Sequence, residues 1–346
     1  MHTAYYRLGD GIYAERFGLG FEHLAPGQRY IHRPGMTFSQ QDNVEEALDS
    51  VNSAMVHYDE HYAAQTEWRR PLMVSTLTLQ RLIGMTAKTF GRRRRIASMS
   101  SIALTRPVFG GDTLYAETEV LAAEPVDAES GRASLLTRGF NQRGEQVAEL
   151  RYVVELWRST TGPDRVPDAR PATEERFLSH VQRDDGAWVE QTGLFFEDLR
   201  RGETIIHAPR KTLLAEEATL HALRSMEWQP QSHDYAFAHA IGLPAPVVPQ
   251  TWGVAVAVAL STRTFGRVSV NLGWTDVEFG VDLMPGDTLE ARSTVEGARP
   301  SGSRPDRGVV TVLTEARNQR GEMVNRFRRA LMVYRRAAAV YSQAGY

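Results

Sequence analysis

Hydrophobic and polar positions along the chain follow two rhythms. Residues 75–90, Ser-Thr-Leu-Thr-Leu-Gln-Arg-Leu-Ile-Gly-Met-Thr-Ala-Lys-Thr-Phe, are rich in apolar side chains. The segment is about four turns long, which predicts a largely buried helix. Residues 250–265 read similarly. Their Val-Ala-Val-Ala-Leu run resembles a strand, but length and place favour a helix. Extended segments follow at 96–104, 114–121, 133–141 and 146–158, the last two joined by Asn141-Gln-Arg-Gly144, a hairpin signal. Upstream, 27–38 read as extended. Ser39-Gln-Gln-Asp42 then marks a helix start with Ser as cap, 43–51 read as the helix, and Arg70-Pro71 breaks the chain. One buried helix followed by antiparallel strands predicts a sheet curved around that helix, with an outer side that needs a partner.

The pattern occurs twice. Phe21-Glu22 recurs as Phe196-Glu197, 175 positions later, and the same spacing relates His32 to His207, Tyr62-Ala63 to Phe237-Ala238, and Pro71 to Pro246. It also relates Thr89-Phe90-Gly91 to Thr264-Phe265-Gly266 and Gly111-Asp-Thr-Leu114 to Gly286-Asp-Thr-Leu289. Asn141-Gln-Arg-Gly-Glu145 returns as Asn318-Gln-Arg-Gly-Glu322, two positions later than that register, and the extra residues fall in the Gly/Ser/Arg/Pro-rich stretch 297–308. The expected organisation is an arm without counterpart at 1–19, a first repeat at 20–158, a linker at 159–193, a second repeat at 194–336 and a tail at 337–346.

Composition narrows the function. Hydrophobic content of 42% and charged content of 24% are ordinary for a globular protein. Forty basic against 42 acidic residues leave a net charge of −2, which argues against a general nucleic-acid binder. The chain has no cysteine, which removes disulfides, thiolate nucleophiles and Cys-ligated metals and suits a reducing cytoplasm. Its first ten residues lack the apolar core of a signal peptide, and the longest apolar run, 252–260, is too short to span a bilayer. The expectation is a cytoplasmic protein with no membrane partner.

The densest group of proton-handling side chains is Asn52-Ser-Ala-Met-Val-His57-Tyr-Asp59-Glu-His61-Tyr-Ala63. An ordinary histidine titrates near neutral pH, so His57 can take or give a proton there, although a histidine in an irregular segment is more often structural. Five helical steps turn roughly 140° net, so Asn52 and His57 cooperate only if the helix ends between them. The second repeat holds Glu227 and Ser232 at these two positions. Arg92, Arg93, Arg94 and Arg95 open a strand, where alternation puts Arg92 and Arg94 on one face. They read either as a solvated sheet end or as a phosphate clamp, to which Arg69 and Arg70 add. The second-repeat counterpart, Arg267-Val-Ser-Val, is far less basic.

These residues resemble the MaoC-like branch of the hot-dog fold, which includes type 2 enoyl-CoA hydratases. Pro107-Val-Phe-Gly-Gly-Asp-Thr-Leu114 is similar to that family's Pro-Val-x-x-Gly-Asp-Thr-Leu signature, and Val281-Asp-Leu-Met-Pro-Gly-Asp-Thr-Leu289 repeats it. On the family's catalytic motif, Asp-x-Asn-Pro-x-His-x-Asp-x-x-Phe-Ala, the histidine falls on His57, the second Asp on Asp59 and Phe-Ala on Tyr62-Ala63. Asn52 stands at the leading Asp. Asn52-Ser-Ala-Met-Val-His57 is similar to the Asn-x-Ala-x-Val-His segment of mesaconyl-CoA hydratases, also called β-methylmalyl-CoA dehydratases, with the order of the halves exchanged.

The resemblance implies an α+β tandem hot-dog fold: two antiparallel sheets, each around a long central helix, related by a pseudo-twofold. It also implies a hydro-lyase that adds water to an enoyl-CoA, branched or dicarboxylic, with coenzyme A as part of the substrate and no further cofactor or metal. A homodimer of double units is the partner state expected. Hydration needs a base for water, an acid for Cα and donors for the enolate oxygen. His57 is the expected base and acid, Asn52 orients water and imidazole, and Asp59 supports the ring. The start of the central helix, near Ser75, holds the thioester carbonyl. Arg92–Arg95 and Arg70 bind the coenzyme. The rivals are a hot-dog thioesterase, disfavoured because neither 75–90 nor 250–265 carries Asp or Glu, and a non-catalytic acyl-thioester-binding protein.

Overall fold

The computed structural model describes residues 2–163, 165–166 and 169–344. The expected helices and strands form. Ser39 caps the helix Gln40–Asp49: its hydroxyl takes the Asp42 N–H, and the Asp42 carboxylate takes the Ser39 N–H in return. The long strands are Arg93–Leu104, Thr113–Pro125, Ser130–Asn141 and Gln146–Trp157 in the first repeat. In the second they are Val268–Phe279, Thr288–Pro300, Arg307–Arg317 and Met323–Tyr334. Within each repeat all four pair antiparallel. Their inward side chains, such as Leu114, Leu135, Leu150 and Leu156, are fully buried around the central helix.

Both central helices are shorter than expected. Ser75–Met85 stops at Thr86 and resumes as Ala87–Phe90; Gln250–Leu260 stops at Ser261 and resumes as Thr262–Phe265. The buried hydroxyls of Thr86 and Ser261 each donate at 2.7 Å to a carbonyl three residues back, Ile83 and Val258. A hydroxyl bonded to its own helix in this way competes with the backbone ladder and bends the axis.

The expected arm and linker are not connectors. The chain divides into two compact units: one holds residues 1–2, 17–168 and 178–191, the other 3–16, 169–177 and 192–346. In the first unit the hairpin His180–Gln182 and Trp188–Glu190 joins the sheet, pairing parallel to Arg29–Ile31. In the second unit the hairpin Tyr5–Gly9 and Ile12–Glu15 pairs parallel to Thr204–Ile206. The hairpin of each repeat therefore completes the sheet of the other. The 175-residue register extends through both: Asp10-Gly11 matches Asp185-Gly186, Glu15 matches Glu190, and Gly18-Leu19 matches Gly193-Leu194. Residues 1–19 thus have a counterpart after all.

A buried polar network fixes each borrowed hairpin. Glu190 lies 2.8 Å from His32 Nδ1, takes the Thr89 hydroxyl at 2.5 Å and accepts the Arg33 N–H at 3.0 Å, while His32 Nε2 meets the Thr118 hydroxyl at 2.9 Å. In the other unit Glu15 meets His207 Nδ1 at 3.0 Å, the Thr264 hydroxyl at 2.5 Å and the Ala208 N–H at 2.9 Å, with Ser293 on His207 Nε2. Burial pushes the Glu190 carboxyl up, but the His32 imidazole outweighs it by charge and hydrogen bond and holds it at about 2. Each sheet is antiparallel except for the parallel pairing that its added hairpin makes. Such a sheet packed on one buried helix is the hot-dog arrangement, and the chain carries it twice in an α+β fold.

Candidate active site

The helix Gln40–Asp49 ends before the chemical stretch begins, not between Asn52 and His57 as cooperation on a helix would require. Val51 takes a left-handed conformation at φ 57°, and the Asn52 N–H returns to the Ala47 carbonyl at 2.7 Å. The Asn52 side chain then closes a local turn, its oxygen accepting the Ala54 N–H at 2.9 Å. A short turn, Met55–His57, delivers the imidazole.

His57 Nδ1 lies 2.7 Å from the Leu72 carbonyl. A carbonyl only accepts, so Nδ1 carries the hydrogen, and the neutral ring keeps its lone pair on Nε2. Leu72 is itself fixed, with its N–H on the Val56 carbonyl at 3.0 Å and a bridge to Phe109. Two residues further, Val74 caps the central helix and Ser75 opens it. The Leu77 and Thr78 N–H groups bond back to the Val74 carbonyl at 3.1 and 3.3 Å, and those of Ser75 and Thr76 precede any carbonyl of the helix that could accept them.

His57 and Ser75 line one cavity of about 380 Å³. Trp68, Leu72, Met73 and Thr78 form its wall with residues 104–108. The half-buried imidazole, the helix start and a largely apolar wall are therefore brought together within the first unit. Such a space can hold an acyl group, present a base to a water molecule and offer backbone donors to a developing oxyanion.

The other expected residues are placed elsewhere. Asn52 is not part of the cavity wall. Asp59 does not support the imidazole: it caps the helix Glu60–Ala63 by accepting the Tyr62 N–H at 2.9 Å, and the Leu72 carbonyl orients the ring instead. Arg70 stacks on Phe109, its guanidinium 3.9 Å from the ring centre. The arginine run has partners of its own. Arg92 is buried and donates to the carbonyls of Arg158 and Thr161. Arg94 sits 4.1 Å over the Trp157 ring and donates to Ser130 at 3.2 Å. Arg95 makes a two-pronged pair with Glu155 at 2.8 and 2.9 Å. Hydrogen bonds from Arg95 and Arg132 hold the Glu155 carboxyl at about 2. A register shift between Arg93 and Arg95 also breaks the two-residue alternation on which the clamp rested.

Sequence reasoning passed over four residues. Trp68 and Thr78 build the cavity wall. Arg106 brings a cation to it: its side chain is 56% exposed and meets Glu145 at the long distance of 3.8 Å. Asn43, fully buried, binds the His57 and Leu72 carbonyls from the preceding helix. Its signal was legible, because an Asn in the buried stripe of an amphipathic helix needs buried partners.

The second repeat lacks this chemistry. Ser232, at the His57 position, is buried, and its N–H bonds the Gln229 carbonyl at 2.9 Å. Glu227, at the Asn52 position, takes the Thr251 hydroxyl.

A family model described as mesaconyl-CoA hydratase matches residues 172–345, and a MaoC-like domain model matches residues 22–137. Mesaconyl-CoA hydratase of Cereibacter sphaeroides is 39% identical over 154 residues, 44% of each chain. β-Methylmalyl-CoA dehydratase of Chloroflexus aurantiacus is 31% identical over 148 residues, 42% of this chain and 41% of that protein. A solved MaoC-like dehydratase of Rhodospirillum rubrum is 29% identical, covering 42% of this chain and 100% of that one at a TM-score of 0.38. The match to these two curated relatives spans 44% and 41% of their length.

Proposed function

We infer the reaction from membership and geometry together: the chain belongs to the mesaconyl-CoA hydratase family. The reaction proposed is reversible addition of water to the double bond of an enoyl-CoA, with mesaconyl-CoA or a similar branched dicarboxylic thioester as substrate. The observation that carries the reading is the fixed His57 tautomer, with Nδ1 on the Leu72 carbonyl, in the wall of a cavity that also contains the helix start at Ser75.

His57 Nε2 takes a proton from water as the oxygen bonds Cβ. The electrons of the double bond move toward the thioester carbonyl, whose oxygen gains charge beside the first-turn N–H groups at Ser75. The proton then passes from the imidazolium to Cα, so that HO and H are added and the base is regenerated. Arg106 is the cation on the cavity wall suited to a second carboxylate, and this favours a dicarboxylic acyl group over a simple alkyl one. Coenzyme A enters as part of the substrate, and no further cofactor is part of the proposal. The homodimer of double units stands as a proposal, which light scattering tests.

The enoyl-thioester absorbance tests the reading directly. Crotonyl-, mesaconyl- and itaconyl-CoA are offered in turn, and mesaconyl-CoA is expected to lose absorbance fastest with its thioester intact. Release of free CoA thiol without formation of a hydroxyacyl thioester would replace the hydratase with a thioesterase. The absence of turnover on all three would leave the acyl-thioester-binding reading.

A further inference from the structure

We propose that two amides on the preceding helix, Asn43 and Gln40, form a clasp that holds the base and the oxyanion-binding helix start in one geometry. They act as positioning residues for catalysis. The proposal rests on the hydratase reading of the His57 cavity.

Three hydrogen bonds of Asn43 reach different parts of the site, and a fourth, from Nδ2, meets Gln40 Oε1 at 3.3 Å. The Asn43 Nδ2 donates to the His57 carbonyl at 2.7 Å and to the Leu72 carbonyl at 3.0 Å. Its Oδ1 accepts the Val74 N–H at 2.7 Å. The partners fix which end of the amide is nitrogen, since two carbonyls demand donors and an N–H demands an acceptor. Gln40, one turn earlier, adds a second donor to the His57 carbonyl at 2.8 Å. One buried amide therefore ties together the residue that carries the imidazole, the carbonyl that sets its tautomer and the cap of the central helix. Those three set where Nε2 and the oxyanion donors stand relative to each other. A displacement of about 1 Å in such an arrangement can cost on the order of a hundredfold in rate.

The chain contains its own control. In the 175-residue register, Gln40 becomes Ala215, Asn43 becomes Ala218, His57 becomes Ser232 and Val74 becomes Pro249, which has no N–H to offer. Both amides, the imidazole and the N–H acceptor relation are missing from the same copy. The backbone of that copy nevertheless takes the same path. The Val247 N–H bonds the Gln231 carbonyl at 2.9 Å as Leu72 bonds Val56 at 3.0 Å, and Val248 bonds Leu283 at 2.9 Å as Met73 bonds Val108 at 2.9 Å. The helix before it, Ala215–Arg224, has the same length as Gln40–Asp49, ten residues. The loop is thus built without either amide, and what the amides add is control over the imidazole and the helix start.

The test uses the full chain with mesaconyl-CoA, together with ¹⁵N spectra of the histidines. Asn43→Ala is expected to lower kcat by about ten- to a hundredfold with KM changed less than about threefold, because the wall that binds substrate is untouched. The His57 nitrogen signals should move from the single Nδ1–H form toward a mixture of tautomers as Leu72 loses its second hydrogen bond. Gln40→Ala should lower kcat by only about two- to fivefold, since Asn43 still holds the same carbonyl. Asn43→Ala with kcat within twofold and unchanged nitrogen signals overturns the proposal. If Asn43→Ala fails to fold, Gln40→Ala decides: a lower kcat at an unchanged Tm supports the clasp, and an unchanged kcat overturns it. If the unaltered chain hydrates no enoyl-CoA while Asn43→Ala still shifts the His57 signals, the clasp stands and the assigned reaction falls.

Discussion

Residues 40–75 and 215–250 are two solutions to the same folding problem, and they differ where chemistry would be done. Both begin with a ten-residue helix, end it with a left-handed residue, Val51 or Met226, and lead through a short turn into a central helix. Most of the hydrogen bonds they share are backbone bonds, which depend little on side-chain identity, and matched side-chain bonds at Asp59 and Asp234 and at Ser50 and Ser225 add to them. The differences lie in side chains, Asn43 against Ala218, His57 against Ser232 and Thr78 against Gly253, and in the backbone N–H lost where Val74 becomes Pro249. One copy spends the shared scaffold on a cavity with an imidazole in its wall. In the other, the Asn325 amide and Leu283 lie beside Gly253, which stands at the position of Thr78. A scaffold and the site grafted on it are thus separable within one chain.

The largest effect that could break this comparison is at the imidazole. General acid–base catalysis is typically worth about 10²–10⁴-fold, so His57→Ala should lose at least about a hundredfold in kcat with the fold intact. Ser232→Ala should keep turnover within about a few-fold, because it removes one hydroxyl from a turn that has no histidine at this position. Steady-state kinetics on both variants settle which copy is active. A collapse in Ser232→Ala comparable to that of His57→Ala would mean the halves have been assigned the wrong way round.

The asymmetry was legible in the sequence for a physical reason: a repeat at fixed spacing exposes any position where one copy departs from the other. The helix start at Ser39, the strand run and the placement of His57 rest on local patterns, and these the chain displays openly. What stayed hidden depends on distant partners. Arg95 looks free until Glu155 is brought beside it by strand pairing, and Arg92 until residues 158 and 161 fold back over it. Strands of three residues, such as Trp188–Glu190, are too short for an alternation signal, so the hairpin exchange left no periodic trace. The matched Asp-Gly pairs and Glu15/Glu190 did mark it at the repeat spacing.

The next effect should be equal in the two copies, and that equality sharpens the contrast. Glu190 and Glu15 hold the borrowed hairpins through matching His and Thr partners. Removing one member of a buried hydrogen-bonded pair typically costs about 3–5 kcal/mol, so Glu190→Ala and Glu15→Ala should each lower Tm strongly and to a similar extent. The sign of the pH dependence follows from Glu190, whose folded carboxyl sits at about 2 against an ordinary 4.5. A carboxyl lowered by folding contributes stability that is present above its unfolded value and lost as pH falls toward the folded one. Melting curves should therefore drop between pH 5 and pH 2 (about the span of the two values), and Glu190→Gln should flatten that drop. A pH-independent Tm in this window for the unaltered chain would show that the hairpin is held by packing alone.

A smaller effect belongs to the cavity mouth. Arg106→Ala should raise KM for a dicarboxylic enoyl-CoA by about three- to tenfold with little change in kcat, and affect crotonyl-CoA less. Because the guanidinium is exposed and its pair with Glu145 is long, the effect should shrink as salt rises. Equal KM changes for the mono- and dicarboxylic substrates would move Arg106 from acyl recognition to the coenzyme.

The smallest effect should come from Arg95, where the sequence alone had suggested a phosphate clamp. Two of its donor atoms are already engaged: Nε and Nη2 point at the two Glu155 oxygens, and the same carboxylate is shared with Arg132 at 2.9 Å. To bind a phosphate, Arg95 would have to leave a charge-assisted two-pronged pair and give up its directional hydrogen bonds. A phosphate would therefore have to compete with a carboxylate that already accepts from both Arg95 and Arg132. Arg95→Gln should leave KM for acyl-CoA unchanged within about twofold at low salt, where any phosphate contact would be strongest. A KM that rises there and recovers with added salt would return Arg95 to the coenzyme and show that Glu155 yields its partner when substrate arrives.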